Sequence, residues 1–144
     1  MPIKSFRGKL AKGGSDTIAL HTNNGSTGYR IVKFQAMGTS EDENYESTLQ
    51  IWSVPTTATF NVDFSDQTLL AAILYGDSNQ AADRVNQTVI FGNMIFNQDI
   101  YVTFESKTSS ADMNYYIELE QIMLDLGQNT VATLKDIRNT IGTI

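Results

Sequence analysis

The sequence predicts an all-β fold: an antiparallel β-sandwich of jelly-roll type with a short C-terminal α-helix. Three observations predict it. Eight short segments carry strand signals, each bounded by polar or glycine-containing turns. Hydrophobic residues make up 41% of the 144 and charged residues only 18%. The remaining polarity is carried by Thr, Ser, Asn and Gln, a balance that suits a pleated, half-buried surface. Helical spacing of apolar residues is clearest near the C-terminus, and a chain of this length buries one core in one domain.

The segments run in order. TIALHT (17–22) alternates, with Ile18 and Leu20 on one face. NNGSTG (23–28) reads as a turn, because Asn and Gly tolerate positive φ. In YRIVKFQAM (29–37), Val32, Phe34 and Ala36 share a face, and the acidic stretch 39–47 that follows is a loop. STLQIWSV (47–54) and ATFNVDF (58–64) flank Pro55, a residue that fits a strand boundary better than a strand centre. TLLAAILY (68–75) is a continuous apolar run, read as a strand from its neighbours, although Ser65 or Asp66 could cap a short helix there. TVIFGNMIF (88–96) is broken at Gly92-Asn93 by a tight turn or a bulge. DIYVTFES (99–106) buries Ile100, Val102 and Phe104, and NYYIELEQIMLDL (114–126) is the eighth segment.

In that last segment Tyr115, Ile117 and Leu119 occupy one face, so Tyr116, Glu118 and Glu120 occupy the other. The apolar set then continues on Ile122, Leu124 and Leu126, a one-residue slip that a β-bulge near Glu120–Gln121 would absorb. The two carboxylates sit about 7 Å apart along the pleat, a spacing that overlaps that of inverting glycosidases. Simple alternation, apolar in and charged out, explains them without catalysis. No catalytic residue is assigned. Pairing of this strand with residues 99–106 would gather Tyr101, Glu105, Tyr116, Glu118 and Glu120 into a candidate ligand surface, the basis of an alternative reading as a carbohydrate- or receptor-binding module.

Beyond the strands, Val131, Leu134, Ile137 and Ile141 recur at the spacing of one helical face. A helix this short must dock its stripe, on its own sheet or on another subunit; these four residues are the expected oligomer interface. Residues 1–15 hold Lys4, Arg7, Lys9 and Lys12 and no acid, within a chain of net charge −6. They read as a basic arm, either frayed or docking on a partner's acidic surface. The expected organisation is therefore an arm (1–15), a sandwich (16–126) and a helix with tail (127–144).

Several function classes are disfavoured. The acidic body repels nucleic acid, whose affinity comes largely from phosphate neutralisation. The absence of cysteine removes disulfides, zinc-thiolate sites and a cysteine nucleophile. One histidine, His21, cannot build a multi-histidine metal site, and neither phosphate-loop glycine motifs nor EF-hand spacing occur. Asp77, Asp83 and the Glu41-Asp42-Glu43 cluster read as solvated loop. No metal, cofactor, membrane span or export signal is expected.

The stretch FNQDIYVTFES…NYYIELEQIMLDLGQNTVATLKDIRNT, with VDFSDQTLLAAILYGDSN and STGYRIVKFQAM before it, resembles small uncharacterised virion-type proteins of marine tailed bacteriophages, T4-like cyanophages among them. The resemblance implies a virion structural protein made in the host cytoplasm; a capsid decoration or tail-associated subunit that is not an enzyme is the expected reading. The implied partners are copies of the chain, with a trimer as the suggested order, and other virion proteins.

Overall fold

The computed structural model describes residues 2–20, 25–39, 45–77, 85–107 and 111–124. The expected C-terminal helix, with Val131, Leu134, Ile137 and Ile141, lies outside the described residues, as do His21, Glu41, Asp42, Glu43 and Asp83. The described elements are strands: β1 (Ile3–Leu10), β2 (Ser15–Ile18), β3 (Thr27–Gly38), β4 (Tyr45–Trp52), β5 (Leu69–Asp77), β6 (Val85–Ile90), β7 (Ile100–Ser106) and β8 (Met113–Met123). They form two antiparallel sheets, ordered β1-β8-β3 and β2-β7-β4-β5-β6.

Both sheets contribute to one core. From the three-stranded sheet come Leu10, Ile31, Phe34 and the odd residues of β8 (Met113, Tyr115, Ile117 and Leu119). From the five-stranded sheet come Ile18, Leu49, Ile51, Ala71, Ile73 and the even residues of β7. Each fully buried Ile, Leu or Phe contributes about 1.5–3 kcal/mol. Period-two alternation therefore decides which face of β7 and β8 is inside, as the sequence predicts. TLLAAILY is a strand, and Gly92-Asn93 is a tight turn in which the Met94 amide donates to the Phe91 carbonyl at 3.1 Å.

Four expectations are corrected. Residues 3–10 do not project as an arm; β1 pairs with β8 from Ile3↔Glu120 to Leu10↔Met113. Phe6 and Leu10 face the core, and Gly8 between them leaves room for the Tyr115 ring: a Cβ there would stand 2.7 Å from the Tyr115 hydroxyl oxygen. Residues 58–64 form no strand. Side chains of β4 bind their carbonyls instead, Thr48 Oγ1 donating to Phe60 at 2.9 Å and Gln50 Nε2 to Asn61 at 3.0 Å. That segment covers the outer face of β4, which is why Thr48 and Gln50 are buried. The bulge lies in β3, between Ile31 and Lys33, and not in β8. It turns Val32 outward to 38% exposure, off the face it was expected to share with Phe34. β8 runs unbroken, and its later apolar residues use a second small cluster, where Leu124 and Ile95 close over Gly28.

Two tyrosines tie the sheets together at one end. The Tyr115 hydroxyl donates to Asp16 Oδ2 at 2.8 Å, and the Tyr75 hydroxyl accepts from the Gly38 amide at 3.2 Å. Burial, followed by the hydrogen bond to Asp16, raises the Tyr115 pKa well above the phenol's usual value near 10. Because the folded-state pKa exceeds the unfolded one, this contribution is fully present below about pH 10 and declines as pH rises beyond it. Tyr115→Phe should cost about 1.5–3 kcal/mol in urea melts at neutral pH, the range for a hydrogen bond to a charged group. It should also flatten the fall in stability above about pH 10. An alkaline slope equal to wild type would contradict the tie.

Candidate functional site

The carboxylate pair lies on the outer face of the three-stranded sheet. Directly opposed residues in antiparallel strands share a face, so the register fixes its composition. Along β8, Asn114 lies between Lys9 and Met37, Tyr116 between Arg7 and Gln35, Glu118 between Ser5 and Lys33, and Glu120 between Ile3 and Arg30. An acidic central strand is thus flanked on both sides by strands carrying cations. Arg30 Nε donates to Glu120 Oε1 at 2.7 Å, with the two side chains 43% and 22% exposed. The Tyr116 hydroxyl donates to Glu118 Oε2 at 2.6 Å, and this bond raises the pKa of the phenol.

A general acid needs burial or a close like charge to hold its proton. Here each carboxylate is partly exposed and has its own donor, and lysine and arginine stand across the strands. The spacing of Glu118 and Glu120 is the pleat repeat of a strand whose other face is core.

The expected ligand surface is not assembled. β8 pairs with β1 and β3, whereas β7 pairs with β2 and β4. Tyr101 and Glu105 therefore lie on the outer face of the five-stranded sheet, and Tyr116, Glu118 and Glu120 on the outer face of the other. Tyr101 opposes Trp52, whose Nε1 donates to Thr103 Oγ1 at 3.0 Å, and the Glu105 carboxylate accepts from the Ser106 amide at 3.0 Å.

The basic residues expected to reach a partner take up places in the fold. The Lys4 ammonium stands 5.6 Å from the centroid of the Tyr29 ring, Lys9 pairs with Asp112 at 3.9 Å, and Arg7 opposes Tyr116. Lys12 sits in the exposed turn between β1 and β2, where Gly13 adopts φ +75° and the Gly14 amide donates to the Ala11 carbonyl at 2.8 Å. Glycine is required at Gly13 because L side chains rarely adopt that conformation. The sequence signal for β1 was present in the alternation Phe6-Gly8-Leu10, masked by the cations on the opposite face.

A cleft of about 860 Å³ opens between the sheets near Gly8, Ala36 and Tyr115, facing Ile73, Asn86 and Thr88. It forms where β6 joins β5 in the other sheet, a long-range choice that local patterning does not reveal. Among the described residues, no group of three or more His, Cys, Asp or Glu is placed to hold a metal ion, and no helix is long and apolar enough to cross a membrane. No protein-family model, curated protein or solved structure matches the chain.

Glu118→Gln and Glu120→Gln should each change stability by less than about 1 kcal/mol in urea melts, as exposed charges do. Neither should alter release of reducing sugar from any glycan tested. A substrate whose hydrolysis disappears with Glu118→Gln would overturn the solvated-face reading.

Proposed function

We propose that the protein is a structural subunit of a tailed-phage virion, a capsid decoration or tail-associated protein that acts by self-assembly and docking to other virion proteins. It is synthesised in the host cytoplasm and works without catalysis or cofactor. The observation that carries this reading is the order of strand pairing. Among the described strands, the first pairs with the last (β1–β8), the second with the seventh (β2–β7) and the fourth with the fifth (β4–β5). Nested pairing of this kind supports the wrapping of a jelly roll, in which one long hairpin is rolled into two sheets, an architecture common in capsid and lectin domains. The remaining nested pair is represented by a single bridge from β3 to the residues after β6, Tyr29↔Phe96.

Two further observations support the reading. A cysteine-free core of this kind folds in a reducing cytoplasm and needs no bridge outside it. The segments that carry the proposed resemblance include β3, β5, β7 and β8, the strands that contribute most of the core. The carbohydrate-binding alternative is weaker, because Tyr101 and Glu105 share no surface with Tyr116, Glu118 and Glu120.

Quantitative mass spectrometry of density-purified particles of the encoding phage should find the chain in many copies per particle. A chain abundant in infected cells but absent from purified particles would refute the proposal.

A further inference from the structure

We infer that β6 is a self-pairing edge, through which two copies of the chain join about a two-fold axis into one continuous sheet. The inference rests on the self-assembly reading above and adds the joint by which assembly occurs.

Two open sheets present four edges, and natural proteins guard edges with charge, bulges, short strands or cover. Three of the four are guarded here. β1 carries exposed Lys4, Arg7 and Lys9. β2 is four residues long and follows directly on the Gly13-Gly14 turn. β3 has the Val32 bulge flanked by Arg30 and Lys33; Phe96 pairs with it at Tyr29, and the Tyr75 hydroxyl occupies its Gly38 amide.

β6 has none of these devices. Its sequence VNQTVI contains no charge, proline or glycine, and its register with β5 is unbroken from Gly76↔Val85 to Ala71↔Ile90. Asn86, Gln87, Thr88 and Val89 are all exposed. Among the described residues, no backbone group is bonded to its far side.

The ladder also shows which groups face outward. The Phe91 amide donates to the Leu70 carbonyl at 3.0 Å, one step beyond the Ala71↔Ile90 pair. Hydrogen-bonded pairs alternate in an antiparallel ladder, so Val89 and Gln87 also bond towards β5. Asn86, Thr88 and Ile90 therefore point their N–H and C=O groups away from it. A second β6 laid antiparallel, with Thr88 opposite Thr88 of the other copy, pairs Asn86 with Ile90 and supplies about six backbone hydrogen bonds. An isologous joint places every residue near its own kind, so an uncharged strand with a threonine on the axis is self-compatible.

The occupant is a second copy for another reason. Beside this edge, on the outer face, Phe64, Leu74 and Val89 are 56%, 44% and 39% exposed. They line a groove of about 310 Å³ together with Val62, Ala72, Asp63 and Gln87. The two-fold axis brings two such patches together, which adds apolar burial beside the strand joint. Strand addition at an edge with side-chain burial alongside is an established recognition mode.

The test is the solution mass of the full chain by light scattering, with Thr88→Pro and Thr88→Lys beside wild type. Proline at position 88 removes only an outward N–H, so the β5 ladder is kept; lysine sets two ammonium groups against each other on the axis. Wild type should show at least twice the 16.0 kDa chain mass, and each folded variant, checked by circular dichroism, should show half the wild-type mass. If proline disturbs the fold, the lysine variant decides. Truncation after Gly127 should leave the two-fold mass in place. Variants that keep the wild-type mass would overturn the β6 joint while leaving self-assembly standing. A wild-type monomer would overturn both.

Discussion

The fold depends on burial of one face of β8. Met113, Ile117 and Leu119 are fully buried and Tyr115 nearly so, and they share one core with the inward residues of β7 and β4. A one-residue slip of this strand would exchange those four side chains for Asn114, Tyr116, Glu118 and Glu120, removing several kcal/mol of burial and confining two carboxylates. Register is therefore fixed by the core. The outward carboxylates follow from it.

Because β8 occupies the centre of its sheet, its two neighbours must supply what its outer face lacks. β1 and β3 do so with cations at alternate positions, Arg7 and Lys9 on one side and Arg30 and Lys33 on the other. The same cations discourage edge pairing at β1 and β3. Electrostatic satisfaction of the central strand and protection of the sheet's edges are thus achieved by one set of residues. The five-stranded sheet, whose central strands carry few charges, has no such requirement, and among the described residues nothing pairs with its β6 edge.

Alternation made the cores of β5, β7 and β8 legible in the sequence, and the outward placement of Glu118 and Glu120 with them. It failed where a local pattern had more than one partner. Phe60, Val62 and Phe64 alternate as a strand does, but Thr48 and Gln50 capture the adjacent carbonyls from the side, so no ladder forms. In residues 3–10 the charged face concealed a half-buried strand whose central glycine makes sense only once Tyr115 lies across it. No bulge follows Glu120 in β8, because an apolar set can change faces along an unbroken strand, whereas β3 shifts its own phase between Ile31 and Lys33. The choice of β1 and β3 as partners for β8, which separates Tyr101 and Glu105 from Tyr116, Glu118 and Glu120, is a property of topology and leaves no local signature.

The central claim is that the first and last described strands are paired, which places β8 in the middle of its sheet and its carboxylates in solvent. Residue-resolved amide hydrogen exchange tests it most directly. Inward-bonded amides of residues 3–10 should be protected together with those of β8, to within the same order of magnitude, because they belong to one ladder. Exchange of residues 3–10 at the rate of free peptide, beside a protected β8, would contradict the account and restore a projecting basic arm.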